Sequence, residues 1–115
     1  FSGVFPSFAT PPVVTRIRAG LPLPISFRLG GFRGLGVLTG GSPRWEQADC
    51  AAPAPTGQVI ASARPLAGIG LRYVRPLDLY AYLAETSRAW AGQCRALVVQ
   101  LDDTTVHRAY VQFVR

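Results

Sequence analysis

Two cysteines, Cys50 and Cys94, and one histidine, His107, are the residues of this 115-residue chain that could do covalent or metal chemistry. A thiol beside an imidazole would make a nucleophile and its base, and cysteines with a histidine are the raw material of a zinc centre. Zinc takes four ligands, however, and one histidine with two cysteines about 45 residues apart supplies no spaced set. A disulfide, two buried thiols and half of a metal site are the choices left, and a Cys50–Cys94 disulfide is the expectation. Closing a loop of that length stabilises a small domain by roughly 4 kcal/mol on the chain-entropy model. Cysteines so engaged leave His107 without a partner nucleophile, and its phase with Ala109, Val111 and Phe113 predicts a core-edge side chain making one hydrogen bond. Asp102 and Asp103 are neighbours in a turn, where aspartate bonds its own backbone. Adjacent carboxylates in one loop do not flank a sugar from opposite sides, and a calcium site would need further oxygen ligands. No catalytic residue, cofactor site or metal ligand is therefore assigned, and the chain is not expected to be an enzyme.

The aromatic residues offer binding rather than catalysis. Trp45, Tyr73 and Tyr80 could stack on sugar rings, as could Trp90, Tyr82 and Tyr110, although such residues more often fill a core. Trp90 is expected to pack near the disulfide. The uncharged lead FSGVFPSFATPP, residues 1–12, is too apolar for a solvated tail. Phe1, Val4, Phe5 and Phe8 in it serve either as part of the domain's own first strand or as an arm that adds to the sheet of a neighbouring copy.

Composition bounds the setting. An apolar content of 49% suffices for one core, so residues 1–115 read as one domain. No apolar run is long enough to span a bilayer. The net charge of +6 comes from twelve arginines against six acids, scattered singly rather than gathered in a stripe, which argues against a nucleic-acid partner. The absence of lysine and asparagine removes Lys–Asn isopeptide bonds and N-glycosylation. A chain that starts at Phe1 and contains no methionine reads as a processed product or a piece of a longer precursor.

Short strands must carry these residues. Val13, Thr15 and Ile17 alternate with Val14, Arg16 and Arg18. Leu23, Ile25, Phe27 and Leu29 alternate with Pro24, Ser26 and Arg28 and are expected to face a core. Residues 34–38 read as another short strand, 51–57 as a proline-alanine connector, 59–63 as a weak strand and 71–75 as a further one. Residues 79–84 read as a strand covered on both faces, with a short helix as the alternative. Residues 94–101 and 106–114 form a hairpin through residues 102–105. Turn signals roughly every 8 to 12 residues and almost no helix periodicity predict an all-β, immunoglobulin-like antiparallel sandwich of about seven or eight strands.

A series of motifs runs in order through the aromatic lead Phe1 to Phe5, Pro11-Pro12-Val13-Val14, Arg18-Ala19-Gly20 and Leu23-Pro24-Ile25-Ser26-Phe27-Arg28-Leu29-Gly30-Gly31. It continues through Gly34-Leu35, Gly41-Ser42-Pro43, Cys50, Tyr80-Ala81-Tyr82, Trp90-Ala91-Gly92-Gln93-Cys94-Arg95, Val106-His107-Arg108-Ala109 and Phe113. This order of motifs resembles the PxKF family of bacterial extracellular immunoglobulin-like domains. Ser26 stands where the family motif has lysine, Ala84-Glu85-Thr86 where it has Trp-Lys-Thr, and Asp103-Thr104 where it has Asp-Gly. The resemblance implies a non-catalytic module of a secreted or cell-surface protein. Combined with the apolar lead, it yields the expected function: an extracellular structural or adhesive element, able to assemble head to tail into a surface filament through Phe1, Val4, Phe5 and Phe8. Its partners would be other copies of itself or adjacent modules of the same precursor. The alternative is a carbohydrate-binding accessory module of a secreted hydrolase, with a glycan on Trp45, Tyr73 and Tyr80.

Overall fold

The computed structural model describes residues 1–9 and 13–115. The Thr10-Pro11-Pro12 end of the predicted lead lies outside the described residues. Among the described residues, nine strands build two sheets: β1 (Ser2–Phe5), β2 (Val14–Arg18), β3 (Leu23–Arg28), β4 (Arg44–Ala48), β5 (Val59–Ser62), β6 (Arg72–Val74), β7 (Leu79–Ala84), β8 (Cys94–Gln100) and β9 (Val106–Val114). One sheet runs β1-β3-β7-β6 and the other β2-β9-β8-β4-β5, packed as a sandwich. All-β architecture is as the turn spacing predicts. Every strand pair is antiparallel except β2 with β9, which run parallel with Arg18 opposite Val114.

Side-chain alternation decides what enters the core. Leu23, Ile25 and Phe27 are buried along β3 while Pro24 and Arg28 face solvent, as period two requires. Opposite them, Leu97 and Val99 of β8 and Ala109, Val111 and Phe113 of β9 join the same cluster. Trp45 stands at its centre, edge-on to Phe113 and to Trp90 at centroid distances of 5.7 and 5.5 Å. Aromatic pairs prefer such edge-to-face contacts because the positive ring edge meets the negative face.

Three expectations change. Residues 34–38 form no strand, and only Leu38 bridges to Leu101. The loop is held instead by Tyr80, whose hydroxyl donates to the Gly34 carbonyl and accepts from the Arg33 amide at 2.8 and 2.7 Å. β4 is an additional strand, and its alternation is hidden in the sequence because Glu46 is buried beside Trp45. β7 is a strand, but its outer face is covered only in part: Tyr80, Tyr82 and Ala84 are buried on the inner face, while on the outer one Leu79 is buried, Ala81 half-buried and Leu83 exposed.

Candidate functional site

The predicted disulfide is formed. Cys50 and Cys94 are bonded, with Cα atoms 5.3 Å apart. The bond follows from sheet register: Ala48 of β4 faces Cys94 of β8, so the chain just past β4 reaches Cys94 from the neighbouring strand. It therefore ties adjacent strands of one sheet and does not cross between sheets. Cys94 shares the outer phase of β8 with Ala96 and Val98, whereas Leu97 and Val99 point to the core. Trp90 accordingly lies on the other side, packed on Trp45 and Phe113 with the Arg95 guanidinium 3.9 Å above its ring, rather than against the disulfide.

The sugar-stacking residues are not gathered on a surface. Trp45 and Tyr80 are both 0% exposed. Tyr80 stacks on Phe27 at 5.4 Å, and Tyr73 is half-buried against it, its hydroxyl donating to Asp78 at 2.5 Å. Tyr82 spends its hydroxyl on the Ala63 carbonyl at 2.7 Å, and Tyr110 is buried. The phenols of Tyr73, Tyr80 and Tyr82 act as tethers: the ring packs on or in the core and the OH bonds a group at its edge. No sugar ring can reach Trp45 or Tyr80.

His107 lies at the rim of β9, half-buried, with Nε2 2.9 Å from Thr105 Oγ1. Thr105 in turn donates to Asp103 Oδ1 at 2.6 Å, through both hydroxyl and, at 2.9 Å, amide. The hairpin loop is thus closed by an aspartate bonding two residues on, as adjacent turn acids do. Phe1 stacks on the imidazole at a centroid distance of 3.7 Å and an interplanar angle of 7°. Burial lowers the His107 pKa from its ordinary 6.5; the positive Phe1 amino group lowers it further and Asp103 opposes both. Among the described residues, no group of three or more His, Cys, Asp or Glu side chains could hold a metal ion.

The N-terminal aromatic set divides. β1 pairs antiparallel with β3 of its own sheet, Ser2 facing Arg28 and Gly3 facing Phe27, so it is the domain's first strand rather than a free arm. Phe8 folds back as a half-buried residue packed on the core, edge-on to Phe1 at 5.2 Å. A Cβ on Gly3 would collide with the Phe8 ring, which explains a glycine there. Phe1, Val4 and Phe5 are left exposed, beside a groove of about 750 Å³ that also touches Thr15, Pro55 and Tyr110.

Two features escape a reading of the sequence. Glu46 is 2% exposed on the outer face of the five-stranded sheet, between Arg44 and Arg108. At the far edge of that sheet, β5 exposes all four residues, with Val59 and Ile60 at 55% and 45%. A weak strand over 59–63 was legible, but its place at the sheet edge, with all four residues of β5 exposed, was not. A comparison with family models, curated proteins and solved structures finds no match.

Proposed function

We propose that this chain is a non-catalytic structural or adhesive module of the extracellular surface, joined to further copies by strand addition at its sheet edges. The observation that carries this reading is the contrast among its four edges. β2 carries Arg16 and Arg18, and β6 is three residues long with Arg72 at its start, the charge and brevity that discourage pairing. β1 and β5 have neither protection: SGVF and VIAS are uncharged, with Val4, Phe5, Val59 and Ile60 exposed.

The two unprotected edges also lie on opposite flanks. Phe1, beside β1, stacks on His107 of β9, next to β2. The end of β5 is tied instead to β7, where Tyr82 bonds the Ala63 carbonyl and Pro65 bridges to Ala84. Adding β1 of one copy to β5 of the next is a heterologous contact, which propagates into an open chain instead of closing as a dimer. The disulfide and the resemblance to the PxKF modules favour a secreted or cell-surface setting, with adjacent modules of one precursor as the other candidate partners.

Light scattering on the purified chain tests the proposal. The wild type is expected to grow in mass with concentration, whereas Val4→Lys and Ile60→Lys each stop growth. A wild type that stays monomeric at every concentration reached would sink the idea, as would growth that both variants leave unchanged.

A further inference from the structure

At one end of the sandwich, three arginines far apart in sequence converge on a concavity of about 690 Å³: Arg18, Arg88 and Arg115. Topology brings them there. β2 and β9 run parallel with Arg18 opposite Val114, so Arg18 and Arg115 emerge at the same end of adjacent strands. The Ala19 amide donates to the Val114 carbonyl at 2.7 Å and fixes that end. Arg88 arrives from a short 3-10 helix, Arg88–Trp90, anchored where the Gly92 amide donates to the Phe113 carbonyl at 2.8 Å.

Gly20 seats the third arginine. Its φ of +90° suits the turn after β2, and a Cβ there would lie 2.6 Å from Arg88 Cγ. The missing side chain is the space through which the Arg88 stem crosses. Thr86 locks the same turn, its hydroxyl accepting from the Gly20 amide at 2.9 Å and donating to the Leu21 carbonyl at 2.6 Å.

Five other arginines are engaged, and the remaining four, Arg16, Arg64, Arg72 and Arg75, do not line this concavity. Arg44 and Arg108 flank Glu46, Arg95 covers Trp90, and Arg28 and Arg33 donate to carbonyls. Among the described residues, no carboxylate forms a salt bridge to Arg18, Arg88 or Arg115, and the concavity is lined by no acidic side chain. Three like charges bordering one concavity repel one another, and an anion between them relieves that repulsion. Guanidinium forks match tetrahedral oxyanions with paired N–H donors, which a diffuse positive surface does not. We propose that this end of the domain is a binding site for a multiply charged phosphate- or sulfate-type oxyanion, with Arg18, Arg88 and Arg115 as its donors. The site is independent of the apolar edges.

The test is amide NMR titration of the full chain with inorganic pyrophosphate in one arm and dextran sulfate in the other, at physiological ionic strength. Shifts centred on Gly20, Ala89 and Arg115 are expected with at least one probe; pyrophosphate binding would mark a site for the free anion, and binding of the polymer alone a site for an ester carried on a chain. Arg18→Ala and the charge-preserving Arg88→Lys should each weaken binding about tenfold or more, with Arg33→Ala as the unchanged control. No saturable shift with either probe overturns the proposal. So does equal weakening by Arg33→Ala, or full affinity in Arg88→Lys, since either means a diffuse field.

Discussion

Arg108 Nε donates to Glu46 Oε1 at 3.1 Å across the outer face of the five-stranded sheet, and Arg44 Nε approaches the other carboxylate oxygen at 3.8 Å. Register explains the triad: Arg44 and Arg108 both face Val98 from opposite sides, one row from Glu46 opposite Ala96. Arg108→Ala leaves a buried carboxylate with only its more distant partner, and loss of a buried partner is costly. Because Arg108 is itself partly exposed, the expected loss is about 2 kcal/mol in urea unfolding. Replacing Arg44, Glu46 and Arg108 together with apolar residues of similar volume should recover most of it.

Removing the disulfide should cost about 2–4 kcal/mol in the same assay, because Cys50→Ala with Cys94→Ala frees a long loop in the unfolded chain. Mass spectrometry should find alkylatable thiols only after reduction; two thiols without reductant would contradict the bonded pair.

Trp45 fills the core completely, yet its indole Nε1 has no hydrogen-bond partner. Trp45→Ala should cost about 3–5 kcal/mol through the cavity it leaves. Trp45→Phe should cost clearly less, since it keeps a ring against Phe113 and removes the orphaned N–H. Equal losses would mean that the indole contributes something besides volume.

The Phe1 ring over His107 sets a pH dependence. A histidine whose folded pKa lies below 6.5 contributes stability that is fully present above the unfolded value and is lost as pH falls through the folded one. Stability should therefore decline as pH drops from about 6.5. Asp103, held below its ordinary 3.8 chiefly by the Thr105 hydroxyl, adds a second decline in stronger acid. Phe1→Ala exposes the imidazole, and an NMR titration should then find its midpoint moved up toward 6.5. An unmoved midpoint would mean that the ring does not shield it.

The sequence by itself determined the parts governed by local pattern. Leu23, Ile25 and Phe27 could face only one way once their neighbours were polar, and two cysteines allowed only one internal bond. The hairpin between β8 and β9 followed from its turn chemistry, the Leu101 amide donating to the Thr105 carbonyl at 3.0 Å. Tertiary structure decided whatever depends on partners distant along the chain. β4 was hidden because Glu46 occupies a buried outward position made tolerable by Arg44 and by Arg108, 62 residues away. Trp45 and Tyr80 became core residues because the opposing sheet covers them, a fact their residue types do not contain. Arginines that look singly scattered converge at Arg18, Arg88 and Arg115 because β2 lies parallel to β9 and Gly20 lets Arg88 cross. Alternation is written into neighbouring residues; strand order is set by which apolar faces can close on each other, a property of the whole chain.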